Sequence, residues 1–350
     1  MIKIGVSKDT DSALLAYPGF GQLEAKTGWR VHVSGLVWQV PVVFSMRQRM
    51  MIRMLGGVMQ ASSDQMSGEV FQSRIVPFMA EADHRRSIIV TIGKTSHRLR
   101  KKTRRNGRFS EWVHISEADA QLATEGTGSR QLLRYSVALD DSQVEPVESV
   151  IYLYPQNGLS VVSDIDDTIK DSSVGDRREL LANTFLREFR SVDGMANVYQ
   201  KWSELGAEFH YVSSSPWQLF RSLLDLQTEH AFPAGTLHLR NFRLRDQLLK
   251  KVAIRRQGKA TAIKSLLKNL PQRDFVLVGD SGEKDPKIYR KICRKFPQRV
   301  KGVFIRQLEH RPLEAEKLKK IQNAVEGGVC GGFSTADELM ELSSRVFPGD

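Results

Sequence analysis

Cysteine is scarce in this chain: the 350 residues hold only Cys293 and Cys330, which excludes a disulfide framework or a cysteine-knuckle metal site and makes a reducing compartment the simplest expectation. No run of about 18 uncharged apolar residues occurs, so no membrane-spanning helix is expected. Met1-Ile2-Lys3-Ile4-Gly5 has no apolar signal core. The expected setting is cytoplasmic, with the protein either soluble or peripheral on membranes. Several chemistries are missing too. His210, His230, His238 and His310 lack metal-ligand spacing. Ser213-Ser214-Ser215 lacks the G-x-S-x-G elbow of a serine hydrolase, and no glycine-lysine phosphate cradle is present. Internal repeats and low-complexity tracts are also absent.

Acid is in deficit. The formal net charge is +12, and the excess is spread: residues 1–158 carry 20 basic and 15 acidic side chains, residues 159–350 carry 32 and 25. Such a balance favours anionic partners through the field without saying which. The length suggests two domains, divided at the turn cluster Pro155-Gln156-Asn157-Gly158. The expected domains are 1–158, β-rich and suited to membrane or partner recruitment, and 159–350, catalytic.

In the first, Val31 to Val37, Ser87 to Ile92, Phe109 to Ile115, Leu132 to Leu139 and Val150 to Tyr154 read as strands of a small sandwich. Met46, Met50, Met54 and Leu55 with Val58 share one face of an intervening helix, with Arg47, Arg49 and Arg53 elsewhere. A basic amphipathic helix can lie on a membrane; methionines filling gaps in a core are the expectation preferred here. The basic run Arg98 to Arg108 ends in an Asn106-Gly107 turn and reads as one charged loop, either solvated or held against anionic lipid.

The second region carries the chemistry. Leu159-Ser160-Val161-Val162 reads as a buried strand that runs into Asp164-Ile165-Asp166-Asp167-Thr168. Carboxylates there are costly unless paired. Alternation along the strand turns Asp164 and Asp166 to one side, where they can hold a divalent cation while one attacks phosphorus. Taken alone, the motif is equally consistent with an acidic turn capping the next helix.

Three further signals follow in the order a doubly wound α/β domain requires. Phe209-His210-Tyr211-Val212 ends in the hydroxyls Ser213-Ser214-Ser215, suited to phosphoryl oxygens or simply to a turn before a helix. Lys259 opens the helical pattern Ile263, Leu266, Leu267, Leu270 and can neutralise a transferring phosphoryl group. Phe275 to Val278 leads into Gly279-Asp280-Ser281-Gly282-Glu283-Lys284-Asp285-Pro286. There Asp280 completes a cation site and Asp285 supports it from behind; the ligand spacing of a calcium loop is absent.

These four signals resemble those of the haloacid dehalogenase-like phosphotransferases. More narrowly, Ser163 to Thr168, FHYVSSSPWQL from Phe209, GTLHLR from Gly235 and FVLVGDSGEKDPKIY from Phe275 look like the actin-patch-protein type of phosphatidate phosphatase catalytic domain, over about Leu159 to Leu308. The resemblance implies a doubly wound parallel sheet of haloacid dehalogenase-like type, with a small or absent cap, following the mainly-β sandwich-like domain. It implies Mg²⁺-dependent hydrolysis of phosphatidate to diacylglycerol and phosphate through an aspartyl-phosphate. Asp164 is then the nucleophile and Asp166 the acid and base. Thr168, Ser213, Ser214 and Lys259 bind the phosphate, with Ser214 standing where the family more often has Asn. Asp164, the backbone carbonyl of Asp166, and Asp280 bind Mg²⁺, with Asp285 behind them; Asp167 is a turn residue.

The expected partner is a phospholipid or membrane-surface substrate; specific nucleic acid is not expected, and protein partners are open. About forty residues separate the Asp pair from Ser213, and Ser213 from Lys259, too few for a large cap, which suits a bulky or membrane-embedded phosphomonoester. The helix from Gly194-Met195, with Val198, Tyr199, Trp202 and Leu205, reads as covering the sheet. Arg240, Arg243, Arg245, Lys250, Lys251, Arg255 and Arg256 form a basic stretch expected near the mouth of the site. Two rivals stand beside this: a phosphomonoesterase of the same mechanism acting on a soluble or protein-borne ester, and a non-enzymatic module binding anionic lipid or nucleic acid.

Overall fold

A computed structural model describes residues 6–9, 12–24, 28–39, 43–125, 131–140, 145–172, 177–240 and 258–348. They divide into two units, Met1–Met50 with Val76–Gln156, and Met51–Ile75 with Asn157–Asp350. The second is therefore discontinuous in sequence and takes in most of a helical stretch that precedes the turn at residues 155–158.

The first unit is built from β1 (Val6–Asp9), β2 (Ser12–Glu24), β3 (Gly28–Gln39), β4 (Glu81–Ala82), β5 (Ile88–Ile92), β6 (Thr95–Arg98), β7 (Arg108–Ile115), β8 (Thr124–Glu125), β9 (Gln131–Leu139) and β10 (Val147–Tyr154). All five expected strands are present. The strands of this β-rich region form one hydrogen-bonded network, in the order β4-β3-β2-β10-β9-β5-β6, with β1 on β2, β7 on β3 and β8 on β9. The reason lies in the length and bend of the second and third strands. β2 and β3 run 13 and 12 residues, and their register shifts between Tyr17 and Phe20. At Gly19 the missing side chain lets the His32 carbonyl close in. β2 can then pair with β1 along its first part and with β10 along its second. Alternate residues Val31 and Val33, Ile88, Val90 and Ile92, and Val113 and Ile115 meet in one core, so the sheet curls until strands far apart in its order share an interior.

The basic run ends in the expected turn. Gly107 has φ +76, and a Cβ there would strike the Val37 carbonyl, which only glycine avoids. Leu99 and Thr103 are buried, whereas Lys101, Lys102, Arg104 and Arg105 are exposed. Arg98 pairs with Asp140 and Arg100 with Glu111.

Among the described residues, four helices precede residue 125: α1 (Met46–Met59), α2 (Ser63–Ser67), α3 (Glu69–Met79) and α4 (Glu117–Ala123). The methionine expectation is corrected in α1. Met46, Met50, Met54 and Val58 are exposed, and the buried face is Leu55, Gly56 and Met59. The inward contact passes over Gly56, whose bare Cα leaves room for the Met66 thioether. The methionine stripe lies round the helix from that contact and stays in solvent.

In the second unit, β11 (Leu159–Ser163), β14 (Glu208–Pro216), β15 (Gly235–Arg240), β16 (Asp274–Asp280), β17 (Val300–Arg306) and β18 (Val329–Phe333) form a sheet ordered β15-β14-β11-β16-β17-β18. Every neighbouring pair is parallel. Both faces must therefore be covered, and the strands read as continuous apolar runs such as Phe275 to Val278, all fully buried. The helices are α5 (Arg177–Phe185), α6 (Met195–Glu204), α7 (Phe220–Glu229), α8 (Gly258–Asn269), α9 (Asp285–Lys295), α10 (Ala315–Gln322) and α11 (Ala336–Ser343). α9 adjoins α8 and α10, whereas α6 adjoins α11. Trp202 of α6 stacks on Phe347 at 4.4 Å and Tyr199 lies 5.2 Å from Phe209 of the sheet, so this helix covers the sheet as expected. Leu205 falls just past it and is half exposed.

Counted within this sheet the strand order is 3-2-1-4-5-6. The chain reverses direction across the sheet between β11 and β16, and such switch points open a crevice at the carboxyl ends of the strands. Between β11 and β14 the described insertion is small: α5, α6 and a two-residue strand pair, β12 (Lys170–Asp171) with β13 (Arg190–Ser191). Of the basic stretch from Arg240 to Arg256, Arg243, Arg245, Lys250, Lys251, Arg255 and Arg256 lie outside the described residues.

Candidate active site

Asp164 follows β11 directly, and its N–H donates to the Val278 carbonyl at 2.8 Å, so the strand pairing carries its side chain to the switch point. Asp280 ends β16, and Asp285 opens α9. These three carboxylates are buried, each offering an oxygen within 4.8 Å of the others. Gly279 makes the packing possible: a Cβ there would collide with the Asp285 carboxylate and the Tyr289 hydroxyl. The Tyr289 hydroxyl donates to the Val278 carbonyl at 2.8 Å.

Lys259, at the start of α8, answers the acids. Its ammonium lies 2.9 Å from Asp164, 2.6 Å from Asp285 and 3.2 Å from Glu283. Burial alone would lower its pKa, but Asp164, Asp285 and Glu283 together hold it well above the ordinary lysine range. Burial pushes the Asp164 carboxyl well up; Lys259 pulls the other way, and Asp285, Glu283 and Asp280 add to the rise. For Asp280, burial and then Asp285 raise the carboxyl to about 7. One ammonium is too little for so many carboxylates.

The hydrogen bonds point to what is needed. Apart from the Lys259 ammonium beside Oδ1 of Asp164, the Asp164 carboxylate oxygens and Oδ2 of Asp280 are buried without a hydrogen-bond partner among the described residues. The other Asp280 oxygen is held by the N–H groups of Gly282 and Glu283 at 2.6 and 2.7 Å. Bare, converging carboxylate oxygens are the donor set of a hard divalent cation. Asp285, expected behind the cation site, stands within the carboxylate cluster.

The Asp166 carboxylate has different company. It accepts from Lys170 at 2.7 Å, Ser213 at 2.9 Å, Ser215 at 2.6 Å and Ser172 at 3.0 Å. Burial would raise its pKa, but the Lys170 charge and these hydrogen bonds hold it well below the usual carboxylate range. The expected common face of Asp164 and Asp166 thus resolves into two settings, one bare and one fully hydrogen-bonded. Thr168 is buried with its hydroxyl unpartnered among the described residues. Ser214 is exposed, 3.4 Å from Glu283. Asp167 is a turn residue with φ +51, its carboxylate accepting from the Ser172 N–H at 2.8 Å.

Sequence reasoning missed Lys170, Ser172 and Glu283. Lys170 sits four residues after Asp166, where the turn at Thr168 folds it back; that offset was visible but reads as an ordinary loop lysine. Glu283 lay within the recognised acidic loop without a role.

A doubly wound parallel sheet with an acidic cluster and two buried lysines, Lys170 and Lys259, at its switch point defines the class. Within it, residues 159–307 match the family model described as phosphatidate phosphatase APP1, catalytic domain. The phosphatidate phosphatase APP1 of Saccharomyces cerevisiae is 32% identical over 184 residues, 49% of this chain and 31% of its own length. An uncharacterized protein of Schizosaccharomyces pombe is 33% identical over 175 residues, 48% of this chain and 28% of its own. The chain thus spans about a third of the length of these relatives. A solved PilB minor pilin from Streptococcus sanguinis aligns over 75% of this chain and 87% of its own with a TM-score of 0.27 and 10% identity, too loose a likeness to bear on the fold.

Proposed function

We propose that this chain is a Mg²⁺-dependent phosphatidate phosphatase, with a haloacid dehalogenase-like catalytic unit working through an aspartyl-phosphate. The observation that carries the reading is the bare Asp164 carboxylate beside Lys259 and Asp280, within the segment similar to the phosphatidate phosphatase catalytic domain. Asp164 and Asp280, with the backbone carbonyl of Asp166, would hold the cation; Asp285 either joins them or keeps Lys259 in place. Bound Mg²⁺ supplies charge neutralisation and alignment for the phosphoryl oxygens.

An Asp164 oxygen forms the bond to phosphorus as the bond to the glycerol oxygen breaks, and the departing alkoxide takes a proton from Asp166. Water then attacks the phosphorus, Asp166 accepts its proton, and Asp164 leaves as carboxylate. The resting Asp166 is in the basic form that the second step needs. For the first it must gain a proton, which the arrival of an anionic phosphate beside it favours. Lys259, Thr168, Ser213 and Ser214 steady the transferring group, where positioning and charge provide most of the rate.

The lipid assignment has separate support. The described insertions around the site are small, which suits a bulky phosphomonoester. No described helix is long and apolar enough to cross a membrane. A cytoplasmic, membrane-peripheral setting belongs to the same reading. Phosphate release from phosphatidate in mixed micelles tests it. Activity removed by EDTA and by Asp164→Asn is expected. Hydrolysis of only a soluble phosphomonoester would keep the chemistry and overturn the substrate, and no hydrolysis of either would overturn both.

A further inference from the structure

We propose that the outward face of α1 is a docking surface for an anionic lipid bilayer. Met46, Met50, Met54 and Val58 recur every four residues and are 77, 60, 56 and 44% exposed, so they form one continuous stripe. Round the helix, Arg49 and Arg53 fall on one flank of the stripe and Arg47 on the other, all three exposed. The opposite side is fixed to the protein through Leu55, Gly56 and Met59. Reciprocal bonds between Ser45 and Gln48, 2.7 and 3.3 Å, start the helix, so its shape is set before any contact. An apolar stripe between two cationic flanks is what a helix lying in a bilayer interface requires: unbranched thioethers enter among the acyl chains while guanidiniums reach the lipid phosphates.

Charge decides among occupants. No acidic residue occurs from Val43 to Ser63. A second copy on this face would therefore set arginine against arginine with nothing to answer it, whereas anionic headgroups answer all three. The inference rests on the phosphatidate reading for its biological sense, but its test does not pass through the catalytic site.

The full chain is co-sedimented, in EDTA, with vesicles of equal parts phosphatidylcholine and phosphatidylserine, and with phosphatidylcholine alone. Binding only to the anionic vesicles is expected. Each arginine near such a surface is worth about fivefold, so Arg49→Gln with Arg53→Gln should lose about 25-fold in partitioning, and Met50→Gln with Met54→Gln about tenfold. Circular dichroism melts and hydrolysis of a soluble phosphomonoester should stay unchanged in both variants. Met50→Trp should shift its fluorescence to the blue on anionic vesicles only. Wild-type protein that binds neither vesicle, variants that bind like wild type, or a loss confined to the arginine pair would each overturn the proposal. So would dimerisation in solution that the methionine pair abolishes. Intact vesicle binding with no turnover of phosphatidate would instead sink the phosphatase reading and leave the docking face standing.

Discussion

The two ends of the parallel sheet bury charge in opposite ways. At the amino end, Arg273 is 1% exposed, and its guanidinium donates to Ser160 Oγ at 2.8 Å, the Asn157 carbonyl at 2.9 Å and the Leu159 carbonyl at 2.6 Å. At the carboxyl end, Asp164 is equally buried, yet its near partner among the described residues is the single Lys259 ammonium, 2.9 Å from one oxygen and shared with Asp285 and Glu283. A buried charge with several hydrogen-bond partners ties strands together; carboxylates that outnumber their one cation cost free energy in the resting protein, a cost that a bound cation would relieve. The contrast separates a structural end of the sheet from the end where the proposed chemistry lies.

The largest expected effect breaks the reactive end alone. Asp164→Asn should lower turnover by about 10⁴-fold or more, while the melting temperature of the metal-free protein changes little, because relief of the crowding with Asp280 and Asp285 offsets the lost ion pair with Lys259; steady-state kinetics and calorimetry check both. At the other end, Arg273→Met should cost about 3 kcal/mol or more by leaving buried carbonyls unpartnered, with activity per folded molecule unchanged, measured by urea unfolding alongside active-site titration.

The electrostatic cost of the reactive end should appear in pH dependence. The folded value of Asp280, about 7, exceeds the unfolded carboxyl value of about 3.9. Between them the folded state holds a proton that the unfolded chain has released. Stability of the metal-free protein should therefore fall as pH rises through that window, by on the order of 2–4 kcal/mol. Asp280→Asn should flatten the slope, and Mg²⁺ should offset the loss in wild type only; thermal melts across pH with and without the cation measure this. The smallest effect is expected at Lys170, which touches Asp166. Lys170→Met should slow turnover about 10²-fold and move the basic limb of the pH–rate profile upward, since Asp166 loses the charge that keeps it ionised.

The second unit was legible because its buried parallel strands appear as unbroken apolar runs, each leading into a polar residue at the carboxyl end of the sheet: Val162 before Asp164, Val212 before Ser213, Val278 before Asp280. What adjacency along the chain could not show was partnership across it. Lys170 reaches Asp166 only because the backbone folds back through Asp167 at positive φ. Glu283 joins Lys259 only because α8 brings that lysine across the crevice. Five strands of the first unit were legible in the sequence, but β2, the longest, was not, and the pairing of the strands into one sheet depends on bends at positions such as Gly19, which carry no periodic signal. In α1 the spacing gave the apolar stripe and left open which way it faced, because a second apolar face, Leu55 and Met59 around Gly56, turned out to be the inward one.

The most direct test is to find where phosphate goes. Protein turning over phosphatidate with Mg²⁺ is quenched rapidly in acid, digested and mapped by mass spectrometry. Phosphate on the peptide containing Asp164, acid-stable but alkali-labile and absent from Asp164→Asn, is the predicted result. Turnover with phosphate on another residue such as Ser213, or with no covalent intermediate at all, would contradict it.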